Sequence, residues 1–121
     1  MQFEEFWPRY LRAHASPSTR AIHVAGTLAG VGLAVAGVAT RRPALLAAAL
    51  VAGYGPAWLS HLLIERNRPE TFSEPLLSFQ ADFAMVGHLM RGTLGRELDD
   101  ALGKAGSAAG LGPAASADGT R

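Results

Sequence analysis

Ala21–Thr40, AIHVAGTLAGVGLAVAGVAT, and Pro43–Ile64, PALLAAALVAGYGPAWLSHLLI, hold just two side chains that ionise near neutral pH: His23 and His61. As a helix rising about 1.5 Å per residue, each run covers the roughly 30 Å hydrocarbon core of a bilayer. The intervening Arg41-Arg42 is too short for anything but an antiparallel hairpin. His23 lies 18 residues before Arg41 and His61 lies 19 after Arg42, so both imidazoles fall at nearly one depth. Two imidazoles facing each other near one end of a hairpin point to a metal site.

The flanks extend this reading. Phe3, Phe6, Trp7, Tyr10, Leu11 and His14 recur at the spacing of one helical face, giving an amphipathic N-terminal helix that starts near Glu4 or Glu5. Its aromatic face, flanked by Arg9 and Arg12, suits a membrane interface or packing on other helices equally well. Ser16-Pro17 reads as an N-cap followed by proline at the first helical position. Gly26, Gly30 and Ala34 form a small-residue face that admits another backbone, so a homo-oligomer stays open. Pro56, inside the second run, should kink it. Asn67-Arg68-Pro69 stops that helix, and Ser73-Glu74-Pro75 starts a third apolar helix running to about Gly95. From about Asp99 the chain turns to Gly, Ala and Ser. The expected organisation is an all-α membrane domain over 1–97 and a flexible tail over 98–121.

A formal net charge of +1 over 121 residues argues against a nucleic-acid binder, which needs a basic stripe. The absence of cysteine rules out disulfides and thiolate ligands, leaving His, Asp and Glu to hold any metal. Glu4 and Glu5, with no early Lys or Arg, do not make the basic region of a signal peptide, so the first apolar run should stay in the protein. Arg9, Arg12, Arg20, Arg66 and Arg68 outnumber Arg41 and Arg42, which places the hairpin ends and the histidines toward the cytosol, the membrane being the cytoplasmic one if the source is prokaryotic.

His14, His23, His61, Glu65 and Asp82 are the candidate site residues. Ionisable groups in or beside spanning helices are expensive and usually mark function. His61 and Glu65, four residues apart, share a helical face, and the short Ala15–Thr19 link returns the chain from His14 to His23. Three imidazoles with a carboxylate and an open position suit iron(II), and zinc nearly as well. A lone histidine at such a level is ordinarily an interfacial or capping residue; three brought to one end by separate geometry favour a metal. Glu65 alone would read as a helix-end charge pairing Arg66 or Arg68. Asp82, mid-helix between Ala81 and Phe83, reads as a partner that orients a ligand imidazole. His88 lies on another face from Asp82 and is left out of the site.

Several stretches carry a family resemblance: Tyr10-Leu11-x-x-His14; Arg20-x-x-His23 with Gly26-Thr27; Trp58-x-x-His61-x-x-x-Glu65-x-Asn67-Arg68-Pro69-x-Thr71-Phe72; and Pro75-x-x-Ser78 through Asp82 to Met85. The chain resembles a family of small membrane proteins, long described as a domain of unknown function, that includes the iron(II)-dependent 2-hydroxy fatty acid (2-hydroxypalmitate) dioxygenase of fatty-acid α-oxidation. The resemblance covers about Phe3 to Gly92, and its specific part is Trp58 to Phe72. It implies that His14, His23 and His61 hold iron, with Glu65 a further ligand or support. Thr19 stands where the family often carries asparagine.

The expected activity is therefore removal of one carbon from a 2-hydroxy fatty acid with Fe(2+) and O₂. Glu65 and Asp82 would assist the chemistry, and Arg20 or Arg68 would pair the substrate carboxylate. Two other classes stay open: a non-catalytic lipid-binding or membrane-shaping hairpin, and a haem or metal-binding membrane protein.

Overall fold

Pro17, Pro43 and Pro75 each open a helix in the computed structural model, which describes residues 1–108. Proline suits this position because its fixed φ is helical and its missing N–H would lack a partner anyway. The elements are α1 (Phe3–Ala13), α2 (Pro17–Thr40), α3 (Pro43–Ser60), α4 (Pro75–Arg91) and α5 (Leu94–Ala108). A π-helical turn, His61–Glu65, extends α3, and a 3₁₀ turn, Glu70–Phe72, leads into α4. No strand occurs among the described residues. The Ser16 cap forms as its sequence requires, its Oγ accepting from the Ser18 N–H at 3.2 Å.

α2 and α3 make the antiparallel hairpin, reversing through Arg41 in the left-handed region at φ 57°. A Cβ added at Gly26 would lie 2.9 Å from the Ala52 carbonyl oxygen, and one at Gly30 would lie 3.1 Å from that of Ala49. The small-residue face is thus used inside the hairpin. Pro56 has no N–H to offer Ala52, so the oxygen packed against Gly26 lacks its usual helical donor. α3 runs through Pro56 to Ser60. The π turn that starts at His61 follows directly.

The helices Pro17–Thr40 and Pro43–Glu65 are each long and apolar enough to cross a membrane. Val35, Val38, Leu50 and Val51 are all more than 60% exposed, an arrangement that water would penalise. The buried core lies elsewhere. Phe6, Trp7, Tyr10 and Leu11 of α1 pack on Ala81 and Met85 of α4 and on Leu94 and Ala101 of α5. The aromatic face of α1 is therefore covered by protein rather than lipid.

Two boundaries differ from the sequence reading. α4 ends at Arg91, where Gly92 takes φ +76°, rather than at about Gly95. Residues 98–108, expected to begin the flexible tail, belong to α5. Leu94, Leu98 and Ala101 recur at i, i+4 and i+7 and pack against the α1 cluster, while Glu97 Oε1 accepts from the Trp7 indole at 2.7 Å. Burial on α1 gives this Gly- and Ala-rich segment the apolar contact its composition conceals. The remainder of the expected tail, 109–121, lies outside the described residues.

Candidate metal centre

His14 follows the last turn of α1, His23 lies in the second turn of α2, and His61 starts the π turn, so three separate elements converge. One ring nitrogen of each lies within 4.8 Å of the others, and all three side chains are buried. The rings are mutually perpendicular: 85° between His14 and His23, 86° between His14 and His61, and 89° between His23 and His61.

Contacts at Nδ1, hydrogen bonds for His14 and His61 and a facing carboxylate for His23, favour the proton on that nitrogen. His14 Nδ1 lies 2.6 Å from the Tyr10 carbonyl oxygen, which can only accept, so Nδ1 holds the hydrogen. Asn67 donates its amide N–H to the Ala13 carbonyl at 3.1 Å, which orients the amide. Asn67 Oδ1 is then an acceptor, 2.7 Å from His61 Nδ1. His23 Nδ1 faces Asp82 Oδ1 at 3.6 Å, and the same oxygen accepts from the Tyr10 hydroxyl at 2.6 Å. Burial first, then the Asp82 charge, holds the Tyr10 hydroxyl well above its usual pKa, so it stays a donor. Burial first, and then the neighbouring His23, lowers His14 well below the ordinary imidazole range and keeps it neutral.

All three Nε2 atoms are left with lone pairs. Those of His14 and His61 face each other at 3.0 Å, and with both protons on Nδ1 neither nitrogen has a hydrogen to donate. His23 Nε2 is buried without any partner. Two nitrogens bound at right angles about 2.1 Å from one ion would stand about 3.0 Å apart, so a small cation fits the His14–His61 pair, where lone pairs would otherwise repel. Outer partners that hold ligand imidazoles by the other nitrogen are a regular feature of metal sites.

The structure brings the side chains of His14, His23, His61 and Asp82 together, and the other expected residues are engaged with partners around them. Glu65 is at the same end of the hairpin, but its Oε2 accepts from the Ser16 N–H at 2.7 Å, and it is not among the clustered donor atoms. The π turn widens the helix just where His61 and Glu65 leave it, sending one to the histidine cluster and the other to the α1–α2 link. Arg20 uses Nη1 on the carbonyl oxygens of His14 and Ala15, at 2.7 and 2.8 Å. Arg68 is exposed over the Phe72 ring. His88 bonds Thr93 and stacks on Trp7, away from the centre.

Residues 1–94 match the family described as 2-hydroxy-palmitic acid dioxygenase Mpo1-like. The chain belongs to this family. The match includes every residue of the centre and stops where α5 begins. No curated protein and no solved structure matches the chain.

Sequence reasoning passed over Tyr10 and Asn67 as site residues. Tyr10 reads as part of an aromatic face and Asn67 as a helix stop; their spacing from His14 and His61 was the available signal. Thr19, one turn before His23, also has a fully buried hydroxyl without a partner. Thr19 Oγ1 and His23 Nε2 are the two buried side-chain atoms left unpaired among the described residues.

Proposed function

We propose that this protein is a membrane-embedded iron(II) dioxygenase that shortens 2-hydroxy fatty acids by one carbon. The observation that carries the reading is the set of three buried Nε2 lone pairs, each fixed by a hydrogen bond or carboxylate contact at Nδ1. Family membership supplies the reaction class. Bound iron(II) would supply the means of using O₂ on a chelating substrate, with His14, His23 and His61 as its protein ligands.

The chain's own residues do the rest. Tyr10 and Asp82 keep the His23 proton on Nδ1, and Asp82 is the candidate acceptor for the proton of the substrate 2-hydroxyl. Asn67 holds His61, and the Tyr10 carbonyl holds His14. Glu65 takes the supporting part: it ties Ser16 to the end of α3 and so holds His14 against His61. The unpaired Thr19 hydroxyl is available to hold water or a substrate oxygen inside the centre. Arg20 and Arg68, at the same end, are the candidate partners for the carboxylate. The exposed apolar faces of α2 and α3 would lie in the bilayer, with the hairpin ends and the centre toward the cytosol.

One O₂ and one 2-hydroxy acid give the acid one carbon shorter, carbon dioxide and water, and this balances without another reductant. Incubating iron-loaded protein with 2-hydroxyhexadecanoic acid, 3-hydroxyhexadecanoic acid and hexadecanoic acid under air tests the reading by mass spectrometry. Pentadecanoic acid should form from the 2-hydroxy acid, with one O₂ consumed per product. The other two acids cannot offer the same five-membered chelate and should be poor. Equal turnover of all three, or of none, would sink the proposal. The 3.0 Å approach of His14 and His61 speaks against haem, whose two axial nitrogens stand farther apart across the iron.

A further inference from the structure

A groove of about 190 Å³ runs between α2, α3 and α4. Its walls include Gly30, Ala34, Gly53, Tyr54 and Phe83, and one carboxylate, Asp82. That carboxylate is the one facing His23 Nδ1 and bonded to Tyr10, so the groove meets the histidine centre through a shared residue. Away from Asp82 the lining turns to small and apolar side chains over two turns of α2, from Thr27 to Ala34, about 10 Å. Gly53 explains part of this space: a Cβ built on it would meet nothing within 4 Å.

We infer that this groove seats the alkyl chain of the acid whose head reaches the three histidines, and that Gly53 sets how much chain it accepts. The inference rests on the function proposed above and deepens it. A linear saturated chain is the occupant that fits: one end of the groove carries a polar group beside the centre, and the rest offers no hydrogen-bonding partner beyond Thr27 and Tyr54. Each methylene inside the groove should tighten binding by about fourfold. A Cβ at Gly53 meets nothing, so Gly53→Leu starts its side chain in the open space, and replacing a helical glycine favours the helix. Gly32→Leu is the matched control, because a Cβ there also meets nothing but Gly32 does not line the groove.

The test uses full-length, iron-loaded protein without oxygen, offered an equimolar mixture of 2-hydroxybutanoic, 2-hydroxyoctanoic and 2-hydroxydodecanoic acids. Acids retained by the protein are quantified by mass spectrometry, and iron content is measured alongside. Wild type and Gly32→Leu should retain 2-hydroxydodecanoic over 2-hydroxyoctanoic acid by the same ratio. Gly53→Leu should lower that ratio at least tenfold while keeping its iron and its hold on 2-hydroxybutanoic acid. Gly53→Ala should lower it by a few fold, and carries the test if the leucine variant does not assemble. An unchanged ratio in the Gly53 variants, with acid still bound, overturns the groove and leaves the proposed function standing. Retention of no acid by wild type overturns the proposed function, and the groove with it. Equal losses in Gly32→Leu and Gly53→Leu would assign the effect to the bilayer-facing surface and refute the groove.

Discussion

Asn67→Ala isolates the part that hydrogen bonding plays in the centre. Asn67 joins two elements at once, accepting from His61 Nδ1 at 2.7 Å and donating to the Ala13 carbonyl at 3.1 Å. His61 is 1% exposed, so the ring nitrogen freed by the substitution can reach water only through the gap left behind. Loss of such a partner typically costs 10–100-fold in metal affinity, about 1.4–2.8 kcal/mol. Asn67 itself is exposed and water can enter its place, so the expected loss lies near tenfold. Stability of the metal-free protein should fall by only about 1 kcal/mol per lost hydrogen bond, a shift of several degrees in Tm. The assay is competition for iron(II) or zinc against a chromophoric chelator, with thermal unfolding of the metal-free form in the same detergent. Asn67→Asp keeps an acceptor for Nδ1 and should retain most of the affinity. Wild-type affinity in Asn67→Ala, or equal losses in both variants, would refute the claim that this contact sets the His61 tautomer.

Single replacement of His14, His23 or His61 by Ala should abolish stoichiometric metal binding, whereas His88→Ala, at a side chain engaged with Thr93 and Trp7, should retain it by metal analysis. Cysteines placed at Ser18 and Arg42, at opposite ends of α2, should label from opposite faces of intact vesicles; labelling from one face would mean the hairpin does not cross. Ending the chain after Gly92 removes α5 and bares Trp7, so Tm should drop by many degrees, since uncovering large apolar side chains costs several kcal/mol. The metal-free protein should also lose stability as the pH falls below about 6.5. There an unfolded His14 binds a proton, while the buried one, whose pKa is lowered, does not until lower pH. An acid-insensitive Tm would show that His14 is not held neutral.

Helix rise converts sequence spacing into height, and that is why the hairpin and the level match of His23 and His61 were legible from the sequence. His14 was legible because the link to α2 is too short to carry it elsewhere. Glu65 was legible as to its side of the helix but not as to its partner: spacing places a carboxylate on a face, and only the fold decides whether an imidazole cluster or the Ser16 N–H meets it. Tyr10 and Asn67 were hidden for the same reason, since each acquires its part through groups distant in sequence or across a turn. α5 was hidden because glycine and alanine dilute its apolar face, and its contacts are with Trp7, 90 residues away from Glu97.

The tethers that build the fold at the histidine end are also the ones that build the centre. Asn67 to Ala13, Glu65 to Ser16, Arg20 to His14 and Ala15, Arg9 to Glu70 and Tyr10 to Asp82 all fasten α1 and its link to the rest of the chain. Without them α1 would have its aromatic face on α4 and α5 but no fixed height along the hairpin, and His14 would not be held 3.0 Å from His61. Facing lone pairs oppose that approach in the metal-free protein, so the tethers must hold the rings there against repulsion. A cation at the centre turns the same approach from a cost into an attraction. Metal binding should then stabilise the attachment of α1 specifically, and amide exchange along Phe6–His14 should slow on metal addition more than exchange in α2 near Arg41. Equal slowing at both ends of the hairpin would mean that the metal stabilises the fold globally and that α1 is not the element it holds.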